Sequence, residues 1–258
     1  MSSDFFIDDK WIKKLDNQLK ILIDRVGIDR KTLDEVFDKS TLLTLGKLIS
    51  NNVIDYIDFP ISTGKEANIF RGVTPNDEYI VIKIFRTSTA TFKHISKYID
   101  GDPRFNCTNK TRRGIIFEWT KKEYKNLERV RKIGIRVPKP IMKINNILLM
   151  EYIGDASNPA PQLKDVKLKN PQKIFDEIIY FINSMYKKAE LVHSDLSAYN
   201  ILLFKNKPYL IDLGQGVLLE HPLSNEFLER DIHNIVHHFN KYGIKADGKK
   251  ILKGMTKK

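Results

Sequence analysis

Apolar residues recur at steps of three and four through the N-terminal part of the chain. Trp11, Leu15, Leu19, Leu22 and Val26 form one helical stripe, which Gly27 closes. Asp29 caps a second run with Leu33, Val36 and Phe37 inward, and Ser40 opens a third carrying Leu42, Leu45, Leu48 and Ile49. The stripes read as packing against the body of the protein rather than as partner-binding helices. From Phe59 the texture turns strand-like. Asn68–Val73 and Tyr79–Phe85 flank Thr74-Pro75-Asn76-Asp77, a turn between β-favouring runs. Residues 86–114 show no clean period and carry Gly101, Pro103, Asn106 and Asn109, the mark of a functional or mobile loop. A helix is expected from Ile116 to Lys132 and a second hairpin in Ile141–Ile153, split at Asn145-Asn146. A helix over Pro171–Lys188 presents Phe175, Ile178, Ile179, Ile182 and Met185. Short strands and one more helix, near Leu223–Phe239, complete the chain.

Strands first and helices later predict an α+β fold of two lobes, a small sheet lobe hinged to a helical one. The boundaries drawn are a helical extension over residues 1–58, a sheet lobe over 59–153 that includes the helix of Glu123 and the loop 86–114, and a helical lobe over 154–258.

At 258 residues the chain can bury two lobes but hardly a third domain, and 41% hydrophobic with 29% charged residues suits a folded enzyme. No apolar run approaches the roughly 20 residues that span a bilayer, and Met1–Lys10 has neither the basic nor the apolar region of a secretory signal. The single cysteine, Cys107, excludes an intrachain disulfide, fits a reducing interior and reads as a small unreactive residue, so a cytoplasmic location is expected. The net charge of +12 favours a polyanionic partner such as RNA; ATP binding and solubility would account for it as well.

The densest chemistry lies in Leu191-Val192-His193-Ser194-Asp195-Leu196-Ser197-Ala198-Tyr199-Asn200. Ile201–Phe204, the turn Lys205-Asn206-Lys207-Pro208 and Tyr209-Leu210-Ile211-Asp212 follow. The two apolar runs can pair around that turn, which brings Asn200 and Asp212 to the open end of a hairpin with Asp195 one loop away. An amide oxygen and two carboxylates make a hard-oxygen site of the kind Mg²⁺ shares with phosphates. H-x-D-x-x-x-x-N, a strand and D-x-G together have the spacing of a kinase catalytic and metal loop.

Ile80-Val81-Ile82-Lys83 sets a lysine in an alternating apolar strand, where it needs a partner unless its ammonium reaches water at an edge. On the helix after the long loop, Ile116, Trp119, Glu123, Leu127 and Val130 share one face. Lys121, Lys122, Lys125, Arg129 and Lys132 fall on the opposite one. An inward Glu123 facing an inward Lys83 is the ion pair with which a kinase holds the α- and β-phosphates. Ser62-Thr63-Gly64-Lys65-Glu66-Ala67-Asn68 stands where a glycine-rich loop would, with one glycine. Gly64 would let backbone N–H groups approach phosphate, with Ser62 and Lys65 as donors; a plain β-turn is the alternative.

These motifs resemble the RIO family of atypical protein kinases: S-T-G-K-E-A-N-I-F (Ser62–Phe70), I-V-I-K (Ile80–Lys83), L-V-H-S-D-L-S-A-Y-N (Leu191–Asn200) and I-D-L-G-Q (Ile211–Gln215). R-T-S-T-A-T-F-K (Arg86–Lys93), K-Y-I-D-G-D-P-R-F (Lys97–Phe105) and W-T-K-K-E-Y-K-N-L (Trp119–Leu127) are similar to its type 1 branch. The resemblance implies a protein-kinase-like fold with a truncated helical lobe, and ATP with Mg²⁺, or Mn²⁺, as cofactor. It implies Asp195 as general base, Asn200 and Asp212 as metal ligands, and Lys83 on the phosphates with Glu123 orienting it. Ser62, Gly64, Lys65 and Ser197 would line the nucleotide, and adenine would meet backbone groups of Glu151 and Ile153 after Met150. Asp212 would itself be able to accept the phosphoryl group. The implied setting is small-ribosomal-subunit maturation, with the pre-ribosomal small subunit or ribosomal RNA as partner and the basic face of the Glu123 helix as one candidate surface. Ser194 stands where the family usually has Gly or Ala, and Ala198 where it has Glu. The short stretch after Asp212 lacks A-P-E and room for a peptide-docking subdomain, so an ATPase switch stands beside the protein kinase. The loop Ser62–Asn68 and the type 1 segments argue against a small-molecule phosphotransferase of the aminoglycoside-kinase type. The retained acid and amide set argues against a non-catalytic RNA scaffold.

Overall fold

A computed structural model describes residues 37–87, 95, 98, 102–104 and 111–256. The stripes expected within residues 11–36, Cys107 and most of the stretch 86–114 lie outside them. The described residues form two compact units, one from those within Met1–Ala90 and Ile141–Tyr152, the other from those within Thr91–Pro140 and Ile153–Lys258.

The first unit is a five-stranded sheet with the order β1-β2-β3-β5-β4, built from β1 (Tyr56–Thr63), β2 (Ala67–Val73), β3 (Tyr79–Phe85), β4 (Pro140–Ile144) and β5 (Ile147–Glu151). The expected turn joins β2 to β3. Thr74 Oγ1 accepts from the N–H groups of Asn76 and Glu78, and Asp77 takes a positive φ of 59°. In β3 every residue from Ile80 to Phe85 is buried, where alternation was expected; a central strand covered on both faces reads as a continuous apolar run. Helix α1 (Lys39–Ser50) starts at Asp38, whose Oδ1 accepts from the Thr41 N–H at 2.7 Å. Its Leu45, Leu48 and Ile49 join Phe70, Ile82, Ile84, Ile147 and Leu149 in one core, with Leu42 packed against it. Buried Asn146 ties three elements together by donating to Thr41 Oγ1 and to the Phe85 carbonyl, both at 2.9 Å.

The second unit holds α2 (Arg112–Lys132), α3 (Pro171–Ala189), α4 (Ser224–Asn240) and α5 (Gly248–Thr256). Two short antiparallel pairs lie among them, β6 (Leu191–Val192) with β9 (Val217–Leu218) and β7 (Ile201–Phe204) with β8 (Lys207–Leu210). Phe175, Ile178, Phe181, Ile182 and Met185 of α3 are buried, and Phe175 meets Phe239 of α4 edge-on at 5.3 Å. Ile179, expected inward, is half-buried, and Phe181 takes its place. Helix α2 begins a turn before Ile116 because Thr111 Oγ1 caps the Gly114 N–H. It groups with the helical unit, whereas the boundary read from sequence put it in the sheet lobe. Asn126 Nδ2 donates to the Leu213 carbonyl at 2.8 Å, which fastens it there. Helix α5 was not expected: Asp247 caps it, its Oδ1 accepting from the N–H groups of Lys249 and Lys250, and only Met255 is buried. Among the described residues no helix is long and apolar enough to cross a membrane.

Candidate functional site

The hairpin that carries the acid and amide residues forms with a tighter turn than expected. Lys205 and Asn206 both take positive φ, 49° and 58°, so two residues close it and Lys207-Pro208 already belong to β8. Two consecutive positive φ values match the right-handed twist of a hairpin. At its open end the Ile211 N–H donates to the Asn200 carbonyl at 3.0 Å, which sets Asn200 and Asp212 side by side along the chain. Asn200 Nδ2 donates to Asp195 twice, to its carbonyl at 2.8 Å and to Oδ2 at 3.0 Å, and Gln215 Nε2 reaches the same Oδ2 at 3.4 Å. Among the described residues, the side-chain hydrogen bonds to this carboxylate thus fall on Oδ2.

Burial raises the Asp195 carboxyl above its ordinary range, and the charge of Asp212 adds to this; His193, Asn200 and Arg230 act in the opposite sense. His193 is buried and its Nε2 donates to the Ile211 carbonyl at 3.0 Å, so the ring carries its proton there; burial disfavours its charged form. The histidine of H-x-D therefore braces the residue before Asp212. Asp212 stands in the left-handed region, φ 60° and ψ 60°, at the head of the 3-10 turn Leu213–Gln215. The donors around Asn200, Asp195 and Asp212 are all oxygens, the set that fits Mg²⁺.

Two groups of residues in this site escaped the sequence reading. Asp231 of α4 is 1% exposed, and its two oxygens accept from the N–H groups of Ser194 and Leu196, each at 2.8 Å. Arg230 donates to the Ser194 carbonyl and Asn234 Nδ2 to that of Leu196 at 3.1 Å. These bonds hold Ser194 at a φ of 69°, where glycine would sit without strain. A signal was present: Asp231 falls on the same helical stripe as Leu228, Ile232 and Ile235, the test that singled out Glu123. Burial pushes the Asp231 carboxyl up to about 7, against the pull of the two N–H groups and Arg230.

The second group corrects the assignment of Lys122 to the solvated basic face of α2. It has no exposed surface, and its Nζ donates to the carbonyls of Gly214, at 3.1 Å, and Gly216. The wheel misled because buried Thr120, Lys122 and Asn126 widen the inward face beyond its apolar residues. Lys125 and Lys132 remain exposed, Lys121 is half-buried and pairs with Glu118 at 2.9 Å, and Arg129 donates to the Ala189 carbonyl. Glu123 is fully buried, as expected.

The remaining predicted residues divide between the units. In the first, Lys83 is 5% exposed and lies over the Phe85 ring at 5.0 Å. Ser62, Gly64 and Lys65 form an exposed turn in which the Gly64 N–H donates to the Ala67 carbonyl at 3.0 Å. A Cβ on Gly64 would lie 3.1 Å from that carbonyl oxygen, so the turn is tight enough to favour glycine. Met150 is buried and Glu151 exposed at the end of β5. In the second unit the Ile153 carbonyl accepts from the Ala160 N–H at 2.9 Å, and Ser197 Oγ accepts from the Tyr199 N–H at 3.3 Å.

Comparison with known proteins places the chain in a family. The RIO domain family matches residues 68–251. RIO-type serine/threonine-protein kinases named Rio1 are similar over most of their length. That of Haloferax volcanii is 38% identical over 88% of this chain and 78% of its own, and that of Methanocaldococcus jannaschii 40% over 89% and 79%. That of Thermoplasma acidophilum is 45% identical over 74% of this chain and the whole of its own. Among solved structures, the Rio2 kinase–ADP/Mg²⁺–phosphoaspartate complex of Chaetomium thermophilum shares the fold. Its TM-score is 0.65 at 20% identity, over 84% of this chain and 66% of that one. A kinase-like fold, a match over most of the chain and relatives at this identity have one meaning: the chain belongs to the RIO family of atypical serine/threonine kinases, in its type 1 branch.

Proposed function

We propose that the chain carries out phosphoryl transfer from Mg²⁺-ATP with Asp195 as general base. The observation that carries this is the one-sided bonding of Asp195: Asn200 and Gln215 occupy Oδ2, which leaves Oδ1 to a substrate hydroxyl. The proton of that hydroxyl passes to Oδ1 as its oxygen bonds to the γ-phosphorus and the bridging bond to ADP breaks. A carboxyl raised by burial and by Asp212 is the better base for it. With Nδ2 of Asn200 committed to Asp195, its Oδ1 together with Asp212 would hold Mg²⁺, which when bound neutralises charge on the phosphates. Lys83 would neutralise the α- and β-phosphates with Glu123 as its partner, and Ser62, Gly64, Lys65 and Ser197 would add donors. Adenine would meet the end of β5 at Met150 and Glu151 and the Ile153 N–H, the Ile153 carbonyl being taken by Ala160.

Asp195→Ala should cut turnover by about 10³-fold while ATP affinity stays within about twofold of wild type. Equal loss of affinity and turnover would show that Asp195 binds nucleotide instead.

One observation favours a second reading, an ATPase switch in which Asp212 accepts the phosphoryl group. Only Leu219–Leu223 separate β9 from α4, too little for the activation segment with which protein kinases dock peptides. A phosphoaspartate is also named in the Rio2 kinase complex. Labelling with γ-³²P-ATP separates the two. Hydroxylamine-stable label lost in Asp195→Ala supports the kinase, and hydroxylamine-labile label lost in Asp212→Ala supports the switch. A pre-ribosomal small subunit as partner rests on the resemblance and on the +12 charge, and a cytoplasmic place of action on the single cysteine. Subunit-stimulated phosphate release in the same assay tests that partner.

A further inference from the structure

The turn that follows Asp212 is held almost entirely by one face of α2. The carbonyls of Leu213, Gly214 and Gly216 point towards that helix, where Lys122 takes those of Gly214 and Gly216 and Asn126 those of Leu213 and Gly216, at 2.8 and 3.0 Å. Glycines at 214 and 216 allow the approach. A Cβ on Gly214 would lie 3.2 Å from Glu123 Oε2 and from the Trp119 ring, and one on Gly216 3.0 Å from Asn126 Nδ2. Helix and turn are therefore packed backbone against side chain, and the turn begins at the left-handed backbone of Asp212.

A lysine with no exposed surface is costly, and a methionine would fill the same space without that cost, but it would leave the Gly214 carbonyl unpaired and the Gly216 carbonyl to Asn126 alone. Lys122 and Asn126 are themselves gripped from outside the helix. Arg104 Nη1 donates to Asn126 Oδ1 at 2.9 Å and forms a two-pronged pair with buried Asp102, at 2.9 and 2.7 Å. Asp102 Oδ2 lies 4.0 Å from Lys122 Nζ. The Tyr98 ring packs against both Trp119 of α2 and Phe227 of α4, which seats this part of the chain on the same helix.

We propose that Lys122 and Asn126 are positioning residues for Asp212, setting its carboxylate through the 213–216 carbonyls, and that Asp102 and Arg104 latch them in place. This rests on the reading of Asp212 as a metal ligand. The consequence is regulatory: whatever releases residues 102–104 loosens metal binding without touching a ligand.

The test uses Mn²⁺ alone as probe, its free concentration followed by electron paramagnetic resonance with the full chain and a non-hydrolysable ATP analogue. Lys122→Met should weaken Mn²⁺ about tenfold, as loss of outer-shell support does elsewhere, with metal-free binding of the analogue unchanged. Arg104→Gln, at a partly exposed residue, should weaken it about threefold. A folded Lys122→Met that binds Mn²⁺ like wild type, with only its melting temperature lowered, overturns the proposal. Should Lys122→Met not fold, an unchanged affinity in Arg104→Gln overturns it. Asp212→Asn distinguishes the underlying reading: wild-type Mn²⁺ affinity there removes Asp212 as a ligand. Weak binding there beside unchanged Lys122→Met removes only the positioning role.

Discussion

The loop around Asp195 and the turn after Asp212 are each secured by a buried charge from a helix distant in sequence, with opposite sign. Asp231 of α4 takes two backbone N–H groups of the first, and Lys122 of α2 takes two backbone carbonyls of the second. An anion suits donors and a cation suits acceptors, so each loop is fixed by the group that matches its exposed backbone dipoles. The difference lies in what surrounds the charge. Asp231 has Arg230 beside it, whereas Lys122 has Asp102 no nearer than 4.0 Å and feels Arg104 as a like charge. Both are driven towards neutrality by burial, the acid up to about 7 and the ammonium down to about 7. Irregular backbone at the candidate site is thus held by charges that fold at a cost.

Removing the acid should do the most damage. Asp231→Ala leaves two buried N–H groups without acceptors and frees Ser194 from its left-handed conformation. A loss of about 3 kcal/mol or more is expected in urea unfolding, with turnover lost alongside. A loss below about 1 kcal/mol would mean that the hairpin and Asn234 hold the loop without it.

A pH series separates the two grips. Lys122 has a folded value of about 7 below its ordinary 10.5, so between them the unfolded chain binds a proton that the folded one lacks. Stability should therefore rise with pH across that window, by up to about 1.4 kcal/mol per unit, and Lys122→Met should abolish the rise. Asp231 is the mirror image. Its folded value of about 7 lies above the ordinary 3.8, the folded chain holds the extra proton, and stability should fall as pH climbs between them. Asp231→Asn should remove that fall. Unfolding at pH 5, 7 and 9 measures both, and slopes that survive in the variants would assign them to other groups.

The smallest effect sharpens the comparison from the backbone side. Ser194→Gly relieves a positive φ at the expense of a 3.3 Å bond from its hydroxyl to Val192 and of a freer unfolded chain. A gain of about 0.5 kcal/mol with unchanged turnover is expected. A loss of more than about 1 kcal/mol would show that the hydroxyl, rather than Asp231, sets this conformation.

Much of the fold was legible because its cues are local. Thr74–Asp77 and Asn145-Asn146 are turn formers between β-favouring runs, and both close hairpins. Pro171 at the first turn of α3, with Asn170 capping it, marked that helix as plainly as its apolar stripe. Helix α5 was hidden because Gly248, Gly254 and three lysines mask a pattern with one buried residue, Met255. Lys122 was misplaced for a related reason. Helical periodicity tells which face is apolar, yet an inward face that must bind carbonyls carries polar residues too.

The sequence by itself determined the family, the order of elements and the acid and amide residues at the end of one hairpin. Those depend on spacing along a short stretch of chain, and a two-residue turn leaves little freedom in where Asn200 and Asp212 fall. Only the tertiary structure decided which far-off side chains secure that hairpin and its neighbouring loop. Asp231 and Lys122 lie tens of residues from the backbone they hold, and in sequence they are one acid and one lysine among many. Their burial, and with it their strength and their shifted protonation, exists only once α2 and α4 have packed against the loops.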